Sequence, residues 1–255
     1  MILYKTEAVV LRDYDLGDQD KIVVFYSPKY GKIKVVAKGA RRIKSRFASL
    51  IQLLSYDILL IHKNGEKSLD TLNEGEIKYY FPEIKKDLLR FAYSCYLVEL
   101  VDKFVGEREP HPFLFQLLLK TLFLLEKGSK CTLNLLMRSF ELKLLSVLGY
   151  RPYLEGCVNC RRDTKLIKSF YFSLRLGGLL CGSCQEVDKG RINISKKASL
   201  LMSYLLFSSL EKVFQQKVDK SVQKEIEMTL RAYFSYQGQR KMFTPHFIHS
   251  FEKLE

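Results

Sequence analysis

Two Cys-x-x-Cys pairs, Cys157-Val158-Asn159-Cys160 and Cys181-Gly182-Ser183-Cys184, stand 20 residues apart in a chain of 255. Each pair can turn two sulfurs to one side of a tight turn, and two pairs together can complete a tetrahedron of thiolates. The chemistry expected of Cys157, Cys160, Cys181 and Cys184 is therefore the binding of Zn²⁺, with four sulfurs filling the shell and no position left for water or substrate. Such a site is structural: it keeps a short, poorly apolar insert folded and supplies no catalysis. The competing readings are two disulfides or four ordinary buried thiols, and disulfides need an oxidising compartment to which nothing here points. Arg161, Arg162, Lys165 and Lys168 lie between the pairs and would soften the surplus negative charge of four thiolates around one dication.

The insert, about residues 151–190, has to be presented by helices. Leu88, Leu89, Ala92, Cys95, Tyr96, Leu97, Leu100, Val101 and Phe104 fall at helical spacing, and Gly106 and Pro110 end that run. Phe113 to Leu125 is apolar almost all round and reads as a buried helix. Leu133 to Leu148 makes a third, stopped by Gly149. After the insert, Ser195 is the expected N-cap of a helix through Leu210, Lys220 to Tyr236 forms another, and the tail from Gly238, with His246 and His249, is irregular. Cys95 and Cys131 sit within helical patterns as buried free thiols.

Residues 1–80 read differently. Thr6–Leu11 and Lys21–Tyr26 are β-rich runs around a polar loop from Asp13 to Asp20. Ser27-Pro28-Lys29-Tyr30-Gly31 is a turn, Lys32–Ala37 a strand, Ile51–His62 a longer strand, and Asn64-Gly65 a hairpin signal before Ser68–Asn73. Five short strands in this length suit a small closed barrel of the oligonucleotide-binding (OB) type. The expected architecture is thus α+β and multidomain: an N-terminal OB-fold β-barrel over residues 1–80, then an all-α domain over 81–255 carrying the inserted four-cysteine zinc knuckle.

Charge says what the barrel would hold. The chain carries +14, and the stretch from Lys21 to Tyr56 has nine basic residues and no acid. Lys29, Lys32, Lys34, Lys38, Arg41, Arg42, Lys44 and Arg46, interleaved with Tyr30 and Phe47, look like a phosphate-binding track with aromatic faces for unpaired bases. Such contacts give affinity without sequence preference. The acids Asp13, Asp15, Asp18 and Asp20 lack the Glu that a calcium loop places twelfth, where Val24 stands, and read as a solvated hairpin loop. No phosphate-binding loop, dinucleotide fingerprint, metalloprotease helix or nucleophile elbow is present, so no enzyme is expected. The start lacks the pattern of a signal peptide and no segment is long enough to span a bilayer, so a cytoplasmic protein is expected.

Leu16-Gly17-Asp18-Gln19-Asp20-Lys21-Ile22-Val23-Val24-Phe25, then Gly31, then Ala37-Lys38-Gly39-Ala40-Arg41-Arg42, resembles the N-terminal domain of the RecO family of bacterial recombination mediators. Gly149-Tyr150-x-Pro152 before the first cysteine pair, and Phe172-Ser173 leading to Gly177-Gly178-x-Leu180 before the second, resemble its C-terminal domain. The departures are Arg161, where members often have Gly, and Tyr26-Ser27 in place of a common Thr. The resemblance implies binding of single- and double-stranded DNA and annealing of complementary strands. It also implies action with RecR to load RecA on single strands coated by single-stranded-DNA-binding protein (SSB), in a cytoplasmic, nucleoid-associated setting. The acidic, Phe-ending SSB tail would dock on the helical domain, where Lys120, Lys127, Lys130, Arg138 and Lys143 offer countercharge. The alternatives are a zinc-ribbon adaptor that binds RNA and has no repair role, and a zinc-dependent nuclease, for which four sulfur ligands leave no open metal position.

Overall fold

A computed structural model describes residues 2–65, 68–129 and 132–238. Lys130, Cys131 and the tail with His246 and His249 lie outside the described residues. The chain divides into two compact units, one through Lys127 and one from Gly128 to Met242.

The first unit is built on strands β1 (Ile2–Leu16), β2 (Asp20–Ser27), β3 (Gly31–Ala37), β4 (Tyr56–Lys63) and β5 (Asp70–Tyr79). They close a barrel in the order β1-β2-β3-β5-β4, with β4 antiparallel to β1 and β3 parallel to β5, the OB arrangement. Alternation sets the interior: Ala8 and Val10, Val23 and Phe25, Ile33 and Val35, Leu59 and Ile61 all point into one core. The register Val10↔Phe25↔Ile33 keeps those faces aligned.

Strand β2 is buried along both faces, because Val24 and Tyr26 turn outward and are covered as well. The cover is helical. Helices α1 (Pro82–Lys86), α2 (Leu88–Phe104) and α3 (Pro112–Lys127) follow β5 within the same unit. The Phe115 ring of α3 lies 6.3 Å from the rings of both Tyr26 and Tyr56. Helix α1 has no capping side chain of its own. Instead the buried Glu126 of α3 accepts the Glu83 and Ile84 amides, at 3.0 and 2.8 Å, and so ties the short helix down.

Several boundaries differ from the sequence reading, two of them in ways that shape the barrel. The polar stretch from Asp13 to Asp20 is mostly strand, leaving a turn at Gly17–Gln19 in which Gly17 takes φ +59°. Cross-strand charge extends the hairpin: Lys21 stands opposite Asp15 and pairs with both Asp13 and Asp15. The run Ile51–Ser55, expected as strand, is a series of turns. Ile51 plugs the barrel core from the β3–β4 loop together with Phe47 and Leu50 before it, and Leu54 is buried as well.

The second unit packs α4 (Leu133–Val147), α5 (Lys196–Phe207), α6 (Leu210–Phe214) and α7 (Lys220–Gly238) around Phe140, Leu144, Met202, Leu205 and Leu230. Ser195 caps α5 by accepting the Ala198 amide at 3.1 Å. That helix stops at Phe207, three residues short of the expected end, because Ser208 and Ser209 are extended. Between α4 and α5 lies a small sheet of β6 (Phe170–Ser173), β7 (Gly178–Cys181) and β8 (Ile192–Asn193), in the order β7-β6-β8. A Cβ on Gly178 would stand 2.7 Å from the Tyr153 carbonyl oxygen, so only glycine lets the two segments pair here. Among the described residues no helix is long and apolar enough to cross a membrane.

Candidate nucleic-acid interface and metal centre

Strand β3 ends at Ala37 and the chain does not turn back until β4, so residues 38–55 form one long loop. Successive turn hydrogen bonds order it, from Ala40 N to Ala37 O through Ser45 N to Arg42 O and Ile51 N to Phe47 O. Ala40, Phe47, Leu50 and Ile51 face the barrel and the loop's cations face out. Lys38, Arg41, Arg42, Lys44 and Arg46 are all exposed on this loop.

The β1–β2 hairpin holds the loop in place. Asp20 accepts the Gly39 amide at 2.7 Å, and Gln19 O accepts the Arg41 amide at 3.0 Å. Arg41 donates from Nη1 to Gly17 O at 2.8 Å and lies 3.5 Å from Asp15, while Arg42 donates from Nε to the Gln19 side-chain oxygen at 2.9 Å. Arg46 donates to Asn73 O at 3.0 Å and lies over the Phe47 ring. The two loops border an open depression lined by Leu16, Gly17, Asp18, Gln19 and Asp20 on one side and Lys38, Gly39 and Arg42 on the other. Guanidiniums fixed in this way present donors to a phosphate without having to be ordered first.

Three of the eight cations expected on the track lie elsewhere. Lys32 is 8% exposed; its ammonium donates to Asp102 O and sits 3.5 Å from the Asp102 carboxylate, which also binds Arg12 at 2.9 Å. Burial lowers its pKa and Asp102 offsets only part of that. It anchors α2 to the barrel and is not a surface cation. Lys34 pairs with Glu107, which raises the lysine and lowers the glutamate. Lys29 is exposed in the turn between β2 and β3, at the other end of that hairpin, roughly 20 Å away for seven strand residues. Counting charge along the chain found no acid between Lys21 and Tyr56, but α2 and the segment after it bring Asp102 and Glu107 in from outside that window.

The aromatic faces are also absent from the track. Phe47 is 3% exposed and plugs the core, and Tyr30 packs on Tyr4 with ring centroids 4.4 Å apart. The role of Gln19, Asp15 and Asp20 in fixing the loop was not foreseen; the cross-strand pattern of acids opposite Lys21 was its only sequence signal.

In the second unit the knuckles converge. The sulfurs of Cys157, Cys160, Cys181 and Cys184 all lie within 4.8 Å of one another, and Cys160 Sγ is 3.7 Å from Cys181 Sγ. A tetrahedron of sulfurs at the usual metal–sulfur bond length has edges of about 3.8 Å, so the four fit a metal ion. Donors surround them: the Cys181 amide points at Cys157 Sγ at 3.4 Å and Asn159 Nδ2 at Cys184 Sγ at 3.3 Å. Burial opposes ionisation of Cys157, yet the amides of Cys160, Cys181 and Asn159 bring its pKa down to about 7. Arg161 takes φ +61° after the second cysteine, a conformation in which Gly is usual, and its guanidinium rests 4.9 Å from the Tyr153 ring.

The proposed docking cations are also dispersed. Arg138 is 4% exposed and pairs with Glu141 at 3.2 Å. Lys143 donates to Leu206 O and Ser208 O, at 2.6 and 2.9 Å, closing the C-terminal end of α5. Both are structural. Lys120 and Lys127 are exposed on α3, in the first unit. Cys95, expected to be buried, is half-buried.

Two family models match the chain: Recombination protein O N terminal over residues 1–81, and Recombination protein O C terminal over residues 85–243. The chain belongs to the RecO family. It is 36% identical over 232 residues to the DNA repair protein RecO of Alkaliphilus metalliredigens, covering 91% of this chain and 92% of that protein. The RecO of Symbiobacterium thermophilum is 35% identical over 249 residues, 97% of each chain, and that of Acetivibrio thermocellus 32% identical over 251, 98% of each. Membership puts the chain among proteins of recombinational DNA repair. The RecO N-terminal match coincides with the barrel, and the C-terminal match begins within α1.

Proposed function

We propose that this chain is a non-enzymatic recombination mediator that grips DNA through phosphate contacts on the β3–β4 loop of its barrel. The observation that carries the reading is the gathering of Lys38, Arg41, Arg42, Lys44 and Arg46 on one ordered loop, three of them already held by partners. Neutralising phosphates releases counterions and lowers the repulsion between two strands, which is the physical requirement for annealing them. In the cell the protein would act with RecR to load RecA on SSB-coated single strands, in the cytoplasm at the nucleoid. The four-thiolate site would hold Zn²⁺ as a structural ion, with Cys157, Cys160, Cys181 and Cys184 as ligands. For the SSB tail, Lys120 and Lys127 are the remaining exposed candidates; calorimetry with a tail peptide and a variant carrying Glu at both positions tests them.

The DNA reading has a sharper test. With about four phosphates neutralised, log affinity for single strands should fall against log salt with a slope of about −3. Charge reversal at Lys38, Arg41 and Arg42 together should flatten that slope and weaken binding alike on all sequences, with the melting temperature little changed. Lys32→Glu should lower the melting temperature instead, because it puts a second carboxylate beside Asp102. An unaltered slope in the triple variant would reject the loop as the interface.

A further inference from the structure

Ile43 sits at the tip of the basic loop, between Arg42 and Lys44, and is 101% exposed, so the fold hides none of its side chain. Single exposed aliphatics are common on protein surfaces and need no explanation by themselves. This one differs in its setting. The turns at Arg42 and Ser45 fix the backbone on either side, and Arg41, Arg42 and Arg46 are tied to Gly17, Gln19 and Asn73. The tip is therefore a fixed projection. Ala40, Phe47, Leu50 and Ile51 of the same loop are turned into the barrel core and Leu54 is buried, so Ile43 is its one fully exposed large aliphatic.

A strand laid with its phosphates on Arg41, Arg42 and Lys44 brings the apolar parts of its nucleotides to the side chain between them. Of the aromatic residues that would ordinarily take unpaired bases in such a track, Phe47 is buried in the barrel core and Tyr30, half-buried, packs on Tyr4 in the turn at the far end of β3. We infer that Ile43 is the base-contacting residue of this interface: an apolar wedge that packs on the faces of unpaired bases while its cationic neighbours hold the phosphates. The inference rests on the DNA reading above. It assigns a preference for unpaired strands to one aliphatic side chain, since paired bases are stacked and have no face to offer it.

The test separates bases from phosphates. Full-length protein is titrated with a single-stranded oligonucleotide and with an abasic oligonucleotide of the same length and charge. Wild type should bind the base-bearing strand about three- to tenfold tighter, the range expected for partial burial of one aliphatic side chain. Ile43→Ser should abolish that ratio while leaving the salt slope and melting temperature unchanged, and Ile43→Phe should keep or raise it. A wild-type ratio of one, or a ratio that survives Ile43→Ser, overturns the wedge while the phosphate reading stands. Failure to bind either oligonucleotide overturns both.

Discussion

Asp57 is fully buried on β4 with one hydrogen bond, from Ser55 at 2.7 Å, and burial pushes its pKa up to about 7 against the weaker opposing effects of Ser55 and Lys85. The unfolded chain releases this proton at about pH 4, whereas the folded chain keeps it to about 7. Between those values the native state binds more protons, so stability from this group is greatest below about pH 4, falls as pH rises, and levels off above about 7. Asp57→Asn removes the dependence while preserving a partner for Ser55. Its melting temperature relative to wild type should be clearly higher at about pH 8 than at about pH 5, and an equal difference at both would refute the assignment. Alternation along β4 puts Asp57 on the same face as Leu59 and Ile61, so the strand pattern gives its inward direction, while the carboxylate alone would suggest solvent.

At the level of strands and loops, the sequence located the barrel strands and the long helices but not α1, α6 or the β6–β8 sheet, and it missed what some elements were for. The four-cysteine cluster was legible because spacing alone brings sulfurs together. The barrel was legible because Val23, Phe25, Ile33 and Val35 alternate and turn residues punctuate them. The basic track was legible only in part, since the counterions for Lys32 and Lys34 arrive from a helix and a segment far along the chain, at Asp102 and Glu107. For the insert, the small sheet buries little beyond Phe170, Phe172, Leu179 and Leu180, so a metal held by the four sulfurs would supply much of its order. Chelation should therefore strip hydrogen-exchange protection from the amides of β6 and β7 and leave β2 and β3 protected. Retained protection in β6 and β7 after metal loss, checked by elemental analysis, would show that packing suffices.

Across the whole chain, compactness and family matching divide it differently. The matches meet between residues 81 and 85, whereas the first compact unit extends to Lys127. The physical reason is the outer barrel face: Val9, Val24, Tyr26 and Tyr56 are buried there, with Phe115 of α3 over the tyrosines. A chain ending at residue 81 leaves that apolar face in water and should aggregate or unfold without cooperativity, while one ending at Lys127 should melt in a single sharp transition. Calorimetry on both fragments decides it; a cooperative melt from the shorter one would show that the barrel needs no helical cover.

The clasp between the β1–β2 hairpin and the basic loop has a counterintuitive corollary. Asp20 lies close to the very surface that attracts a polyanion, and by simple Coulomb reasoning its removal should help. Yet its carboxylate restrains the Gly39 amide, and with it the direction in which the neighbouring arginines point. Asp20→Ala removes the acceptor of the Gly39 amide and raises the net positive charge of the protein, and should nonetheless weaken single-strand affinity, mainly through faster dissociation in a stopped-flow chase, because a slack loop must be organised anew at every encounter. Tighter binding by that variant would mean that attraction, and not rigidity, governs the grip.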